Sequence, residues 1–338
     1  MSSLRLGILD QSPIISGYSP AQAVHETIRL AQAAEKLGYH RYWLAEHHSL
    51  AALADPCPEI LVARLAAETR TLRVGTGGVL LPYYSAFKVA EQFRMLEALY
   101  PGRIDLGIGR APGGDRMTAL AMGEGRYPAA ENFPEQVQYL VAYLDDALPQ
   151  DHPFAGVKAM PAGTTAPEVW LLGSSGYSGA LAAQLGLRFA FAHFISAEGG
   201  DAVMQDYRRK FRPSYREPAP WGLVCVFVIC AETAEEAERL TASINLRRLN
   251  MDYGVNAPVP NHNEAARYPY TDADRRRIAY HRRRIVAGTP AMVRERLIGI
   301  AESFGADELM AITITGDYES RRRSYELLAE AFQLCQPR

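Results

Sequence analysis

The chain has 338 residues, 48% of them hydrophobic, and a net charge of -2. That length can bury a large core without help from disulfides or metals, and the near-neutral balance argues against a dedicated nucleic-acid or membrane-surface binder. The opening MSSLRLGILDQSP lacks a charged segment leading into a long apolar core. No apolar run could span a bilayer, and Cys57, Cys225, Cys230 and Cys335 form no CxxC pair. A soluble, cytoplasmic protein with free thiols is expected.

In chain order, LRLGILD is a short continuous apolar run and reads as a buried strand. Ser19–Gly38 has apolar residues at helical spacing, with Ser19 as N-cap, Pro20 at the first helical position and Gly38 as C-cap. RYWLAEH is the next strand and Cys57–Thr69 the next helix. TLRVGTGGVLL and Ala86–Leu99 repeat the pair. PGRIDLGIG is a fourth strand, followed by a Gly-rich loop over Arg110–Asn132 and a helix at Phe133–Leu148. Beyond the Pro/Gly-rich Asp151–Pro167 come the strand and turn EVWLLGSSG, the helix YSGALAAQLGL and the strand RFAFAHF. A helix at Ala197–Phe211, the strand WGLVCVFVIC and a helix at Ala234–Arg248 follow. A polar irregular stretch runs to about Thr271. It leads to a basic helix, a helix opening at GTPAMVRERL, the strand ELMAITIT and a last helix.

Apolar strands alternating with helices in about eight units predict an α/β fold with a helix-covered parallel sheet. Eight units fit a single (β/α)8 TIM barrel over residues 1–338, with insertions after strands 4 and 7. An open doubly wound sheet is the alternative. In a barrel, chemistry collects at the C-terminal ends of the strands. There the sequence places Asp10 and Gln11, then Glu46, His47 and His48, then Gly77 and Gly78. Gly109 and Arg110, then Gly173–Ser175, then His193 complete that rim.

Each motif carries two readings. Glu46-His47-His48 suits proton transfer, or is a polar cap on a strand end; no metal site is expected, because no third ligand is apparent. The turn Ser174, Ser175, Gly176, Tyr177, Ser178 opens a helix whose free N–H groups and hydroxyls suit a phosphate, or is an ordinary capped βα turn. Arg110 supplies a cation for a bidentate phosphate contact, or a structural salt bridge. Gly77-Gly78 inside a strand marks close approach by a flat ligand, or a bulge. The basic segment DADRRRIAYHRRRIVAGTP repeats its arginine triplets along one side of a helix, as a solvated face or an active-site lid.

WLAEHH, VGTGGVLLP, GRIDLGIGRAPGG, GSSGYSGALAAQLGL and RRIAYHRRRIVAGTP, in this order, resemble the bacterial luciferase-like, flavin-dependent monooxygenases, in their non-luminescent subgroup. The resemblance spans nearly the whole chain. It implies reduced FMN at the barrel mouth, supplied as FMNH2 by a separate flavin reductase. It further implies reaction with O2 through a flavin C4a-hydroperoxide on a small organic substrate, and a homodimer paired through early helices. His47 then falls on the catalytic histidine, with Glu46 and His48 beside it. Gly77-Gly78 falls on a non-proline cis peptide under the flavin ring, and Arg110 with Ser174–Ser178 on the phosphate site. The basic segment falls on a mobile lid, and residues 256–284 are expected to be the most mobile part of the chain. Gly109 stands where light-emitting members carry a reactive cysteine. F420-dependent hydride transfer and flavin binding without turnover are the alternatives.

Overall fold

The computed structural model describes residues 4–110, 113–127 and 130–334, so Cys335 lies outside the described residues. In chain order the first half holds β1 (Arg5–Asp10), α1 (Pro20–Lys36), β2 (Arg41–Leu44), α2 (Pro58–Glu68), β3 (Arg73–Leu80), α3 (Ala86–Leu99), β4 (Ile104–Gly109), α4 (Arg116–Met122) and α5 (Phe133–Leu144). The second half holds β5 (Glu168–Gly173), α6 (Gly176–Leu185), β6 (Arg188–Ala192), α7 (Gly200–Lys210), β7 (Gly222–Cys230), α8 (Ala234–Asp252), α9 (His262–Arg267), α10 (Asp272–Arg282), β8 (Ile285–Gly288), α11 (Pro290–Phe304), β9 (Glu308–Ile312) and α12 (Tyr318–Phe332).

Eight parallel strands close a TIM barrel. Each of β1 to β7 pairs with the next, β7 pairs with β9, and β9 returns to β1. Local chemistry starts the helices where the sequence places them. Ser19 and Gln22 form a reciprocal capping box at α1, and Ser85 caps α3. Three elements differ from expectation. The loop 110–132 contains α4, started by an Asp115 cap on the Thr118 N–H. The irregular stretch contains α9, started by an Asn261–Glu264 capping box. The end of the basic segment is a ninth strand, β8, paired with Phe227–Cys230 where β7 runs on beyond the barrel. All three are too short for a periodicity signal.

Strand alternation sorts the core into two shells. Tyr42, Leu44, Leu106, Ile108, Val224 and Val226 point outward and pack under the helices. Leu9, Trp43, Trp170, Leu223, Cys225, Phe227 and Met310 point inward and fill the barrel. In β3 the pairing with β4 shifts register between Gly77 and Val79, so Gly75 and Gly77 face inward before the shift and Leu80 after it. No described helix is long and apolar enough to cross a membrane.

Candidate functional site

The inward shell stops short of the C-terminal ends of the strands and leaves a cavity of about 290 Å³. Leu9, Trp43, Leu172, Ala190, Leu223 and Met310 form an apolar body, and Gln11, His47, Arg110, Ser174, Ser175 and Ser178 supply polar edges.

Period-two geometry decides what becomes of Glu46-His47-His48. Trp43 and Ala45 face inward on β2 and its extension, and His47 continues that face onto the cavity wall. Glu46 and His48 fall on the opposite face. The Glu46 carboxylate accepts from the Leu80 N–H at 2.8 Å, the Tyr84 hydroxyl at 2.6 Å and His48 Nε2 at 2.6 Å. Glu46 borders the cavity, but its acceptors are committed to these donors and not to His47. His48 lies off the cavity, its ring edge-on to Tyr83. The expected trio is therefore one cavity histidine beside a separate Glu46–His48–Tyr84 buttress.

His47 Nδ1 lies 3.4 Å from the Ala45 carbonyl, and its backbone N–H donates to the Asp55 carbonyl at 3.1 Å. Burial pulls its pKa down to about 4; the Ala45 carbonyl opposes this and the positive charge of Arg247 reinforces it. At neutral pH the ring is uncharged. With Nδ1–H directed at Ala45, Nε2 is left as an acceptor.

At β4 the chain reaches Gly109 and Arg110. Arg110 is exposed, and its guanidinium stacks 4.2 Å over the Tyr177 ring in the first turn of α6. It has no ion pair among the described residues, which removes the structural salt-bridge reading. Ser175 is the N-cap of α6, its side chain makes no capping bond, and the first turn carries no acidic residue. Gly176 opens onto free space. Gly173 is glycine for a packing reason: a Cβ there would come within 2.3 Å of the Ser178 side chain.

The Gly77–Gly78 peptide is cis. A Cβ on Gly77 would lie 2.7 Å from Leu9, and one on Gly78 2.6 Å from the Gly107 carbonyl, so packing alone demands these glycines. Gly109 differs. A Cβ there meets its nearest neighbour at 3.7 Å, so the protein leaves this wall open without needing to.

A family model described as luciferase-like monooxygenase matches residues 4–308. The chain belongs to the luciferase-like monooxygenase family. It is 47% identical to the uncharacterized protein YceB of Bacillus subtilis, over 97% of this chain and 99% of the relative. It is 36% identical to the N-acetyl-S-alkylcysteine monooxygenase of the same species, over 97% of this chain and 98% of the relative. The crystal structure of apo-MsnO8 superposes with a TM-score of 0.91 at 40% identity, covering 99% of this chain and 100% of that one.

Within this luciferase-like chain, several rim residues leave or join the expected site. Asp10 turns outward, where Arg321, Thr27, Tyr42 and the Ser12 N–H hold it. His193 faces Phe304 on α11 and does not line the cavity. Gln11, Phe194, Ile195 and Cys225 do line it. Gln11 and Cys225 continue the inward parity of Leu9 and Leu223, a signal the alternation already carried. Arg247, on α8, had no such signal, because only the fold brings it near His47.

Proposed function

We propose that the chain is an FMN-dependent monooxygenase that takes FMNH2 from a separate flavin reductase and oxygenates a small organic substrate with O2. The observation that carries this is Arg110: an exposed cation without a carboxylate partner among the described residues, stacked on the first turn of α6 at one end of an apolar cavity. That arrangement fits a ligand with a flat apolar body and a terminal phosphate. Arg110, the N–H groups of α6 and the Ser174, Ser175 and Ser178 hydroxyls would hold the phosphate. Gly109 would leave room for the ring, over the Gly77–Gly78 edge. Bound reduced FMN supplies two electrons, so that one oxygen atom enters the substrate and the other leaves as water.

The protein's own residues bind, orient and exclude water. His47, neutral with Nε2 as an acceptor, takes a proton from the reacting substrate and returns it. Glu46 and His48 act behind it: they fix Tyr84 and the Leu80 backbone, and so the wall on which His47 sits. Residues 256–284 cover the mouth as a lid. The segment is anchored at its start, where the Asn256 amide donates to the Ser49 carbonyl and accepts from the Ala51 N–H. Exposed Ile60 on α2, with Met95 and Leu99 on α3, offers an apolar face for a homodimer. Light scattering of an Ile60→Glu, Met95→Glu double variant tests this, with a monomer expected where the parent chain is a dimer.

The test of the function is ¹⁸O2 with FMNH2 and a panel of small organic acceptors, including an N-acetyl-S-alkylcysteine because a 36% identical relative bears that name. One labelled oxygen in a product, dependent on FMNH2, is expected. Tight FMN binding with no labelled product from any acceptor would leave a flavin-binding protein without turnover. Reduction of F420 by an alcohol in place of these results would move the chain to hydride transfer.

A further inference from the structure

On the β7 side, three strands round the barrel from the β4 end that bears Arg110, a second group of cations lies just outside the cavity lining, tied to it through Ile195. Arg247 and Arg248 are neighbours on α8, and Arg284 immediately precedes β8. Arg248 stacks 5.0 Å from the centre of the Phe227 ring, which belongs to the inward shell with Trp43, Ala45 and Met310. Arg284 donates to the carbonyl of Ile195, a cavity-lining residue, at 2.9 Å. Arg247 is close enough to His47 to bear on its charge state.

None of the three has an ion pair among the described residues, although carboxylates are near at hand. Glu238 is taken by Arg282 at 2.6 Å, Glu198 by Arg283 at 3.2 Å and Asp252 by His281 at 2.7 Å. Arg248 donates to the His281 carbonyl, and Arg284 also bonds His281 Nδ1. The Arg247 Nε is buried with no hydrogen-bond partner. Burial alone pushes Arg247 down to about 10. Arg248 falls to about 9 through burial and then the charges of Arg284, Arg247 and Arg282. A half-buried guanidinium without a counter-charge, beside like charges, is costly, and a bound anion offsets that cost.

We propose that Arg247, Arg248 and Arg284 form an anion subsite at the cavity mouth that takes the carboxylate of an acidic organic substrate. The proposal deepens the monooxygenase reading and rests on it for the cavity being the substrate's. Arg110 with the first turn of α6 takes the flavin phosphate at one side of the mouth, and the arginine group fixes the substrate's anionic end at the other. His47 stands on the wall between β1 and β3, within the electrostatic reach of Arg247. A neutral analogue would leave these guanidinium groups unpaired, so the subsite selects acids over their amides.

Matched probes test this on the FMN-saturated protein and again without FMN: hexanoate against hexanamide, and benzoate against benzamide, by titration calorimetry. At least one acid should bind about ten-fold or more tightly than its amide. Arg247→Leu and Arg248→Leu should erase the preference, Arg247→Lys should keep most of it, and Arg110→Ala should leave it intact. FMN affinity and melting temperature of Arg247→Leu should stay near those of the parent, which separates loss of the subsite from loss of the fold. Acids and amides binding alike, or none binding, overturns the proposal. Loss of FMN affinity in Arg247→Leu without loss of riboflavin affinity also overturns it, because the arginines would then hold the flavin phosphate. An acid preference that survives in a protein unable to bind FMN keeps the subsite and discards the flavin reading.

Discussion

At the N-terminal end of the barrel, Arg41 is fully buried and meets Glu308 through Nε at 2.7 Å and Nη2 at 3.0 Å, with Asp105 and Glu168 on its other nitrogen. Arg73 and the Trp43 indole complete Asp105, and the Trp221 indole completes Glu308. At the C-terminal end, Arg110, Arg247 and Arg248 have no carboxylate partner among the described residues, and the one carboxylate beside the cavity, Glu46, is occupied by its own donors. The same residue types thus do opposite things at the two ends. At the closed end Asp105, Glu168 and Glu308 all have arginine partners inside the protein, and the network holds strands together. At the open end Arg321 is spent on Asp10, whereas Arg110, Arg247 and Arg248 have no counter-charge among the described residues. Burial alone would push the Asp105 pKa up, but Arg41 and Arg73 outweigh it and hold the carboxyl below its usual range, the mark of an internally completed site.

The comparison breaks most visibly under Arg41→Met. Two buried carboxylates would lose their main partner, and unfolding in urea should show a loss of about 3–5 kcal/mol. A loss under about 1 kcal/mol would mean that the closed end is not held by its charges. Next in size is His47→Ala. Because His47 serves the open end, oxygen transfer should fall at least about a hundredfold while melting temperature and FMN affinity stay near the parent values. Early melting with retained turnover would make His47 part of the wall only.

A smaller effect sharpens the comparison through pH. His47 at the open end and His40 at the closed end both sit at about 4, each lowered first by burial, His40 then by the charge of Arg41. From pH 6.5 down to about 4 the unfolded chain therefore binds protons that the folded chain does not, and stability falls with acidification in that window. Above pH 6.5 neither group contributes. His47→Gln and His40→Gln should each flatten part of the acid slope. An unchanged slope in His47→Gln would show that the cavity imidazole protonates as in water.

The barrel was legible because eight apolar runs alternate with helical patterns, each strand being buried on both faces. Ser19 was readable as a cap for the same local reason. The elements that escaped, α4, α9 and β8, have seven, six and four residues, fewer than their periods need to show. Of the site, Arg110 and Ser174–Ser178 were readable because a strand end leads straight into them. The Glu46-His47-His48 trio was readable as a place but not as a geometry, since only the inward parity of Trp43 and Ala45 separates His47 from its neighbours. Gly77-Gly78 is readable as close approach by a ligand or as a bulge; the register shift between Gly77 and Val79 supplies the irregularity, and Leu9 and the Gly107 carbonyl demand glycine there whatever binds. Arg247 lies two hundred residues from His47, and no sequence pattern joins them.

The central claim is that the open end keeps an unpaired cation for the phosphate of a flavin. The most direct measurement compares FMN and riboflavin binding to the parent chain and to Arg110→Ala by quenching of flavin fluorescence. The parent should bind FMN more tightly than riboflavin. Arg110→Ala should lose about ten-fold or more in FMN affinity, or about 1.5–3 kcal/mol, with riboflavin affinity unchanged. Equal weakening of both ligands, or no weakening of either, would contradict the account.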